Sequence, residues 1–90
     1  MAMTSAERKA LMVRAHKLDP IVMIGGKGLT DAVVAEIDRA LKSHELIKVR
    51  APAMERADRA GAAQALCART GAELVQQVGK VMVLFRKNPG

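Results

Sequence analysis

The stretch that most restricts the fold is Ile21-Val22-Met23-Ile24-Gly25-Gly26-Lys27-Gly28-Leu29-Thr30. Four apolar residues run directly into a glycine turn, and an amphipathic helical pattern starts as the turn ends. A strand that feeds a helix with so short a link leaves few topologies. A strand–helix–strand unit closes as a parallel pair with a right-handed crossover. The turn, Gly25-Gly26-Lys27-Gly28, has the form GxxG with a lysine at its tip. Glycines let the backbone take positive φ and let a ligand come close to the peptide groups. The helix that follows aims its free N–H groups and positive dipole end back at the loop. A strand, a bare basic loop and a helix N-terminus together suit a phosphate.

The rest of the chain can be read in order. Thr4-Ser5-Ala6-Glu7 fits a capping box, with Glu7 three residues after Thr4. It predicts a first helix from about Ser5 to Lys17, with Leu11, Arg14, Ala15 and Leu18 at helical spacing. Asp19-Pro20 ends it, because the residue before a proline is pushed out of helical geometry. Ile21 to Ile24 reads as a short buried strand. Thr30 or Leu29 opens the second helix, whose apolar face is Val33, Val34, Ile37 and Leu41 and whose end falls near Ser43-His44. Leu46 to Ala51 alternates: Ile47, Val49 and Ala51 point one way, Lys48 and Arg50 the other, as in a half-buried strand closed by Pro52.

A third helix is expected from about Glu55 to Thr70, with Ala62, Ala65, Leu66 and Arg69 as its inward stripe and Gly71 as its C-terminal cap. Gly61 inside it costs about 1 kcal/mol relative to alanine, for which close packing on the sheet would be a reason. Glu73 to Val78 and Val81 to Arg86 read as two strands joined at Gly79-Lys80, a two-residue hairpin with glycine first. The run Val81 to Phe85 is apolar without alternation, as expected of a strand buried on both faces. The order αβαβαββ gives an α/β (α+β) fold with a four-stranded mixed sheet and packed helices. No repeat, linker or low-complexity segment divides residues 1–90, which read as a single domain.

Composition narrows the partner. A net charge of +6 and a pI of about 10.1 point to an acidic one, with nucleic acid first. Phe85 is the one aromatic residue, so RNA-binding modules that stack bases on several aromatic side chains are excluded. A nucleic-acid binder of this composition must hold the backbone, as KH-type GxxG loops do. Cys67 is alone, which removes any intramolecular disulfide and favours a reducing compartment. With no apolar signal region at the N-terminus and no stretch near the ~20 apolar residues of a membrane span, a cytoplasmic protein is expected.

Other chemistries fail on spacing. A P-loop with Lys27 as its lysine would need glycine at Ile21 and a hydroxyl residue at Gly28. A dinucleotide fingerprint from Gly26 and Gly28 would need a third glycine at Asp31. His16, His44 and Cys67 lack metal-ligand spacing, and Cys67 beside Leu66 reads as a core thiol. Asp31, Glu36 and Asp38 read as a solvated helix face, and no nucleophile–base pair stands out. Neither an enzyme nor a cofactor, metal or small-molecule substrate is expected.

Several runs then resemble one family. Ile24-Gly25-Gly26-Lys27-Gly28-Leu29-Thr30, Glu36-Ile37, His44-Glu45-Leu46-Ile47-Lys48-Val49, and the ending Val78-Gly79-Lys80-Val81-Met82-Val83-Leu84-Phe85-Arg86 are similar to the YhbY family, the stand-alone bacterial form of the CRM (chloroplast RNA splicing and ribosome maturation) domain. The resemblance spans about Arg8 to Arg86. It implies a two-layer α/β fold related to the C-terminal domain of translation initiation factor three, with an added N-terminal helix. It also implies RNA binding through the GxxG loop, here Gly25, Gly26, Lys27 and Gly28, and through nearby basic residues. The implied partner is ribosomal RNA in precursors of the large subunit, and the implied role is ribosome assembly. From the strand pattern, Lys48, Arg50, Lys80 and Arg86 are the further candidates for one cationic track with Lys27. Two alternatives stay open at this point: a nucleoid-type DNA binder, and a protein-interaction module whose basic surface serves solubility.

Overall fold

The computed structural model describes residues 3–88. Its elements are α1 (Ser5–Ala15), β1 (Val22–Met23), α2 (Asp31–His44), β2 (Leu46–Arg50), α3 (Arg56–Thr70), β3 (Glu73–Val78) and β4 (Val81–Phe85). The sheet order is β1-β2-β4-β3, with β1 parallel to β2 and the other two pairs antiparallel. This is the expected mixed sheet.

Local chemistry sets most element ends. At α1 the capping box is complete: Glu7 N–H donates to Thr4 Oγ1 and Thr4 N–H donates to Glu7 Oε1, both at 3.1 Å. Gly71 ends α3 at φ 75°, a left-handed conformation that glycine takes without a Cβ clash. Gly79 has φ 56° while Lys80 does not have positive φ, the pattern of a type II′ hairpin. The end of α2 has no glycine. Glu45 takes φ 62° itself, and its carbonyl accepts from Arg86 N–H at 2.9 Å while its carboxylate accepts from Asn88 N–H at 2.7 Å. These tertiary bonds hold a conformation that costs a non-glycine residue about 1–3 kcal/mol.

Helices cover both faces of the sheet. On one side Val34, Ile37 and Leu41 of α2 and Ala63 and Leu66 of α3 pack on Val22, Ile24, Ile47, Val49, Met82 and Leu84. On the other side Leu11 and Ala15 of α1 pack on Leu46, Val75 and Val83. Strand β4 is therefore buried toward both layers, as its unbroken apolar run predicts.

Three expectations need correcting. Ile21 to Ile24 is not buried on both faces: Val22 and Ile24 are buried, but Ile21 is 50% and Met23 68% exposed. β1 is an edge strand, and α1 lies over β2, β4 and β3 without reaching it. The α3 stripe is Ala63, Leu66 and Thr70, whereas Ala65 and Arg69 are exposed. An alanine-rich helix offers several near-equivalent stripes through Leu66, so the packing on the sheet settles which alanine turns inward. Gly61 is not in close contact with the sheet; a Cβ there would meet no atom within 4 Å. Gly61→Ala should therefore raise stability by about 1 kcal/mol, read as a higher denaturation midpoint with unchanged m-value. An unchanged or lower midpoint would show that the glycine is needed for packing.

Candidate nucleic-acid interface

The GxxG loop is held from below and open above. Ile24 N–H donates to Arg50 O at 2.8 Å, which carries the β1–β2 pairing to the first glycine. Gly28 N–H donates to Gly25 O at 3.0 Å and closes a turn with Gly26 and Lys27 at its centre. Thr30 then caps α2, its Oγ1 accepting from Val33 N–H at 3.2 Å. Leu29 packs on the core and anchors the exit. Only Gly28 has positive φ (77°), so glycine is required there by conformation. A Cβ at Gly25 or Gly26 would meet nothing within 4 Å, which leaves the loop's outer side open. Lys27 is exposed and makes no ion pair among the described residues.

Two further candidates lie at the same end of the sheet. Arg50 is the last residue of β2, and the next residue, Ala51, donates its N–H to Lys80 O at 2.7 Å. Two main-chain hydrogen bonds thus tie the loop to β2 and β2 to the hairpin. Arg50 and Lys80 are exposed and, like Lys27, unpaired among the described residues. Sequence reading missed Arg56 and Arg59, in the first turns of α3. Arg59 Nη1 donates to Gly79 O at 2.8 Å, and both arginines line a cleft beside Gln77 and Gly79. The signal was available: α3 begins only a few residues after the end of β2 that bears Arg50.

Lys48 and Arg86 are placed differently. Lys48 is two residues before Arg50 on the same face of β2, about 7 Å away. α1 covers part of that face, so Lys48 is half-buried at the rim of the helix. Arg86 follows the far end of β4, and that strand alone puts about 13 Å between it and the hairpin. Its guanidinium has internal partners: Nη1 donates to Asp38 Oδ1 and to Thr70 O, both at 2.6 Å, and Nη2 donates to Asp38 O at 3.1 Å. Its side chain is 18% exposed. The structure brings the loop, Arg50 and Lys80 together, keeps Lys48 nearby, and sets Arg86 apart as a tie between α2, α3 and β4.

Asp38 and Cys67 have structural roles. Arg86, and behind it Lys42, hold the Asp38 carboxyl below its ordinary range. Burial, with a smaller effect from Glu73, pushes the Cys67 thiol up, as suits a packing residue. Among the described residues no three His, Cys, Asp or Glu side chains gather as a metal set.

Comparison with known proteins gives the family and the fold. Residues 3–86 match the model of the CRS1 / YhbY (CRM) domain. A probable RNA-binding protein of Pseudomonas aeruginosa is 43% identical over 89 residues, covering 99% of this chain and 86% of that protein. An RNA-binding protein of Haemophilus influenzae is 40% identical over 84 residues, covering 93% and 85%. The solution structure of a hypothetical protein from Staphylococcus aureus, by its description a candidate RNA binder, superposes with a TM-score of 0.86 at 32% identity and covers 99% of this chain and 93% of its own.

The Arg86 tie makes a pH-dependent prediction. Asp38 has a depressed folded pKa, so its contribution is full above the ordinary carboxylate value of about 3.9 and is lost as pH falls through the lower folded value. Arg86→Met should lower the urea midpoint at pH 7, and the gap to wild type should narrow below about pH 4. A gap that is constant from pH 7 to pH 2.5 would remove Asp38 from the account.

Proposed function

The chain belongs to the CRS1 / YhbY (CRM) family, and from that premise we propose that residues 1–90 act as one RNA-binding domain that grips the phosphate backbone at a single end of its sheet. The observation that carries this reading is the joining of the GxxG loop, Arg50 and Lys80 by two main-chain hydrogen bonds, with Lys27, Arg50 and Lys80 unpaired at the surface. The first turn of α2 presents free N–H groups behind Gly28, and Lys27 stands in front of them. One phosphate sits at the loop and its neighbours run past Arg50 and Lys80. Lys48 and the α3 arginines extend the track on either side. Arg86 stays outside it, because its guanidinium is already tied to Asp38 and Thr70 at the other end of the sheet.

The finer reading follows the family resemblance. The RNA is ribosomal, in a precursor of the large subunit, and the protein assists assembly in the cytoplasm by binding rather than by catalysis. Relatives named as RNA-binding proteins support the class of partner. The loop supports the mode, since a chain with one aromatic residue has no stacking platform.

Titration across salt tests it. Each lost phosphate contact on a single strand should lower the slope of log K against log salt by about 0.7. Lys27→Gln should flatten the slope by about that amount and weaken all RNA sequences alike. The Lys48/Arg50 double glutamine variant should flatten it further. A change for Lys27→Gln with none for the double variant would confine the track to the loop, and no change for either would dismiss the site. Equal affinity for duplex DNA in the same salt would favour the DNA-binding alternative.

A further inference from the structure

Beside the cationic end, on the α1 face of the sheet, lies a recess of about 220 Å³. Its floor and walls are apolar, from Met12, Ala15, Val81 and Val83, and its polar rim includes Lys48 and Gln76. It exists because α1 stops short. The helix packs on Leu46, Val75 and Val83 and leaves Val81 only partly covered. A β-bulge shapes it further: the β3–β4 register shifts between Leu74 and Gln76, so Val75 goes under the helix and Gln76 takes its place opposite Val83, at the opening. Arg8 of α1 fixes that bulge, Nη1 donating to Leu74 O at 2.8 Å and Val75 O at 2.6 Å. The half-buried Gln76 amide makes no hydrogen bond among the described residues, although it carries both donor and acceptor.

We propose that this recess takes one unpaired base of the bound RNA, with Gln76 at its hydrogen-bonding edge and Lys48 on the adjoining phosphate. The proposal rests on the RNA reading above. Three observations select this occupant. The lining includes a lysine and a histidine but no carboxylate, which suits a ligand on an anionic chain. Lys48 lies about 7 Å along β2 from Arg50, so the recess continues the phosphate track. An apolar slot with one free amide at its mouth matches a heterocycle, whose faces are apolar and whose edge carries donors and acceptors. Phe85, the one aromatic residue, packs against the α1 core at the other end of β4, so base contact beside the loop and hairpin comes from a slot.

Methyl and amide NMR on the whole chain tests this with two probes, a short unpaired oligoribonucleotide and its abasic ribose-phosphate counterpart. The methyls of Met12, Val81 and Val83 should shift with the first and stay still with the second, while the Gly25–Gly28 amides shift with both. Gln76→Ala should weaken the base-bearing oligonucleotide about fivefold, with abasic binding and the salt slope unchanged. Val81→Phe, which fills the slot, should do the same; Gln76→Ala guards against a folding fault in that variant. Recess methyls that respond equally to both probes, or only to an acidic leucine-containing peptide, would overturn the proposal while leaving the loop's RNA role intact. Loop amides that respond to neither probe would sink the RNA reading itself.

Discussion

Strand β4 has a neighbour on each edge and a helical layer over each face. Met82 and Leu84 are fully buried toward α2 and α3, and Val83 is 2% exposed toward α1. Truncating a side chain such as Leu84 to alanine would cost about 2–5 kcal/mol, because the lost transfer energy and the cavity add. The pairing of β4 with β2 and with β3 also fixes the ends of the molecule. One end holds the hairpin and, through Ala51 and Arg50, the GxxG loop. The other holds Arg86 against Asp38 and Thr70.

The two ends use charge in opposite ways. At the Arg86 end a guanidinium is held by a carboxylate and two carbonyls, which engage both of its terminal nitrogens and neutralise its field nearby. At the loop end Lys27, Arg50 and Lys80 face water without a carboxylate partner among the described residues. Unpaired cations beside a helix N-terminus attract a polyanion without first having to break an ion pair. The net charge of +6 describes neither situation; placement decides which cations are free.

Much of this was legible in the sequence where a residue type has one physical use. Thr4 and Glu7 three apart, Gly71 after the last helical turn, Gly79 before Lys80 and the unbroken apolar run of β4 each specify their local structure. The misses share a cause: the deciding partner is distant in the chain. Arg86 is an ordinary terminal cation until Asp38, 48 positions away, folds beside it. The exposure of Met23 depends on where α1 ends across the sheet, and the phase of α3 depends on which alanine happens to meet a strand. The role of Arg8 depends on a bulge in β3 that no pattern in the sequence announces.

Lysine footprinting on the protein with and without an RNA ligand compares the two ends in one experiment. Acylation read by mass spectrometry reports each lysine separately, and the chain carries exposed lysines at both ends. If phosphates run along the loop and hairpin, Lys27 and Lys80 are protected by RNA while Lys42 and Lys87 react as they do in the free protein. Protection of Lys42 and Lys87 with Lys27 and Lys80 still reactive would place the RNA at the Arg86 end and contradict the account.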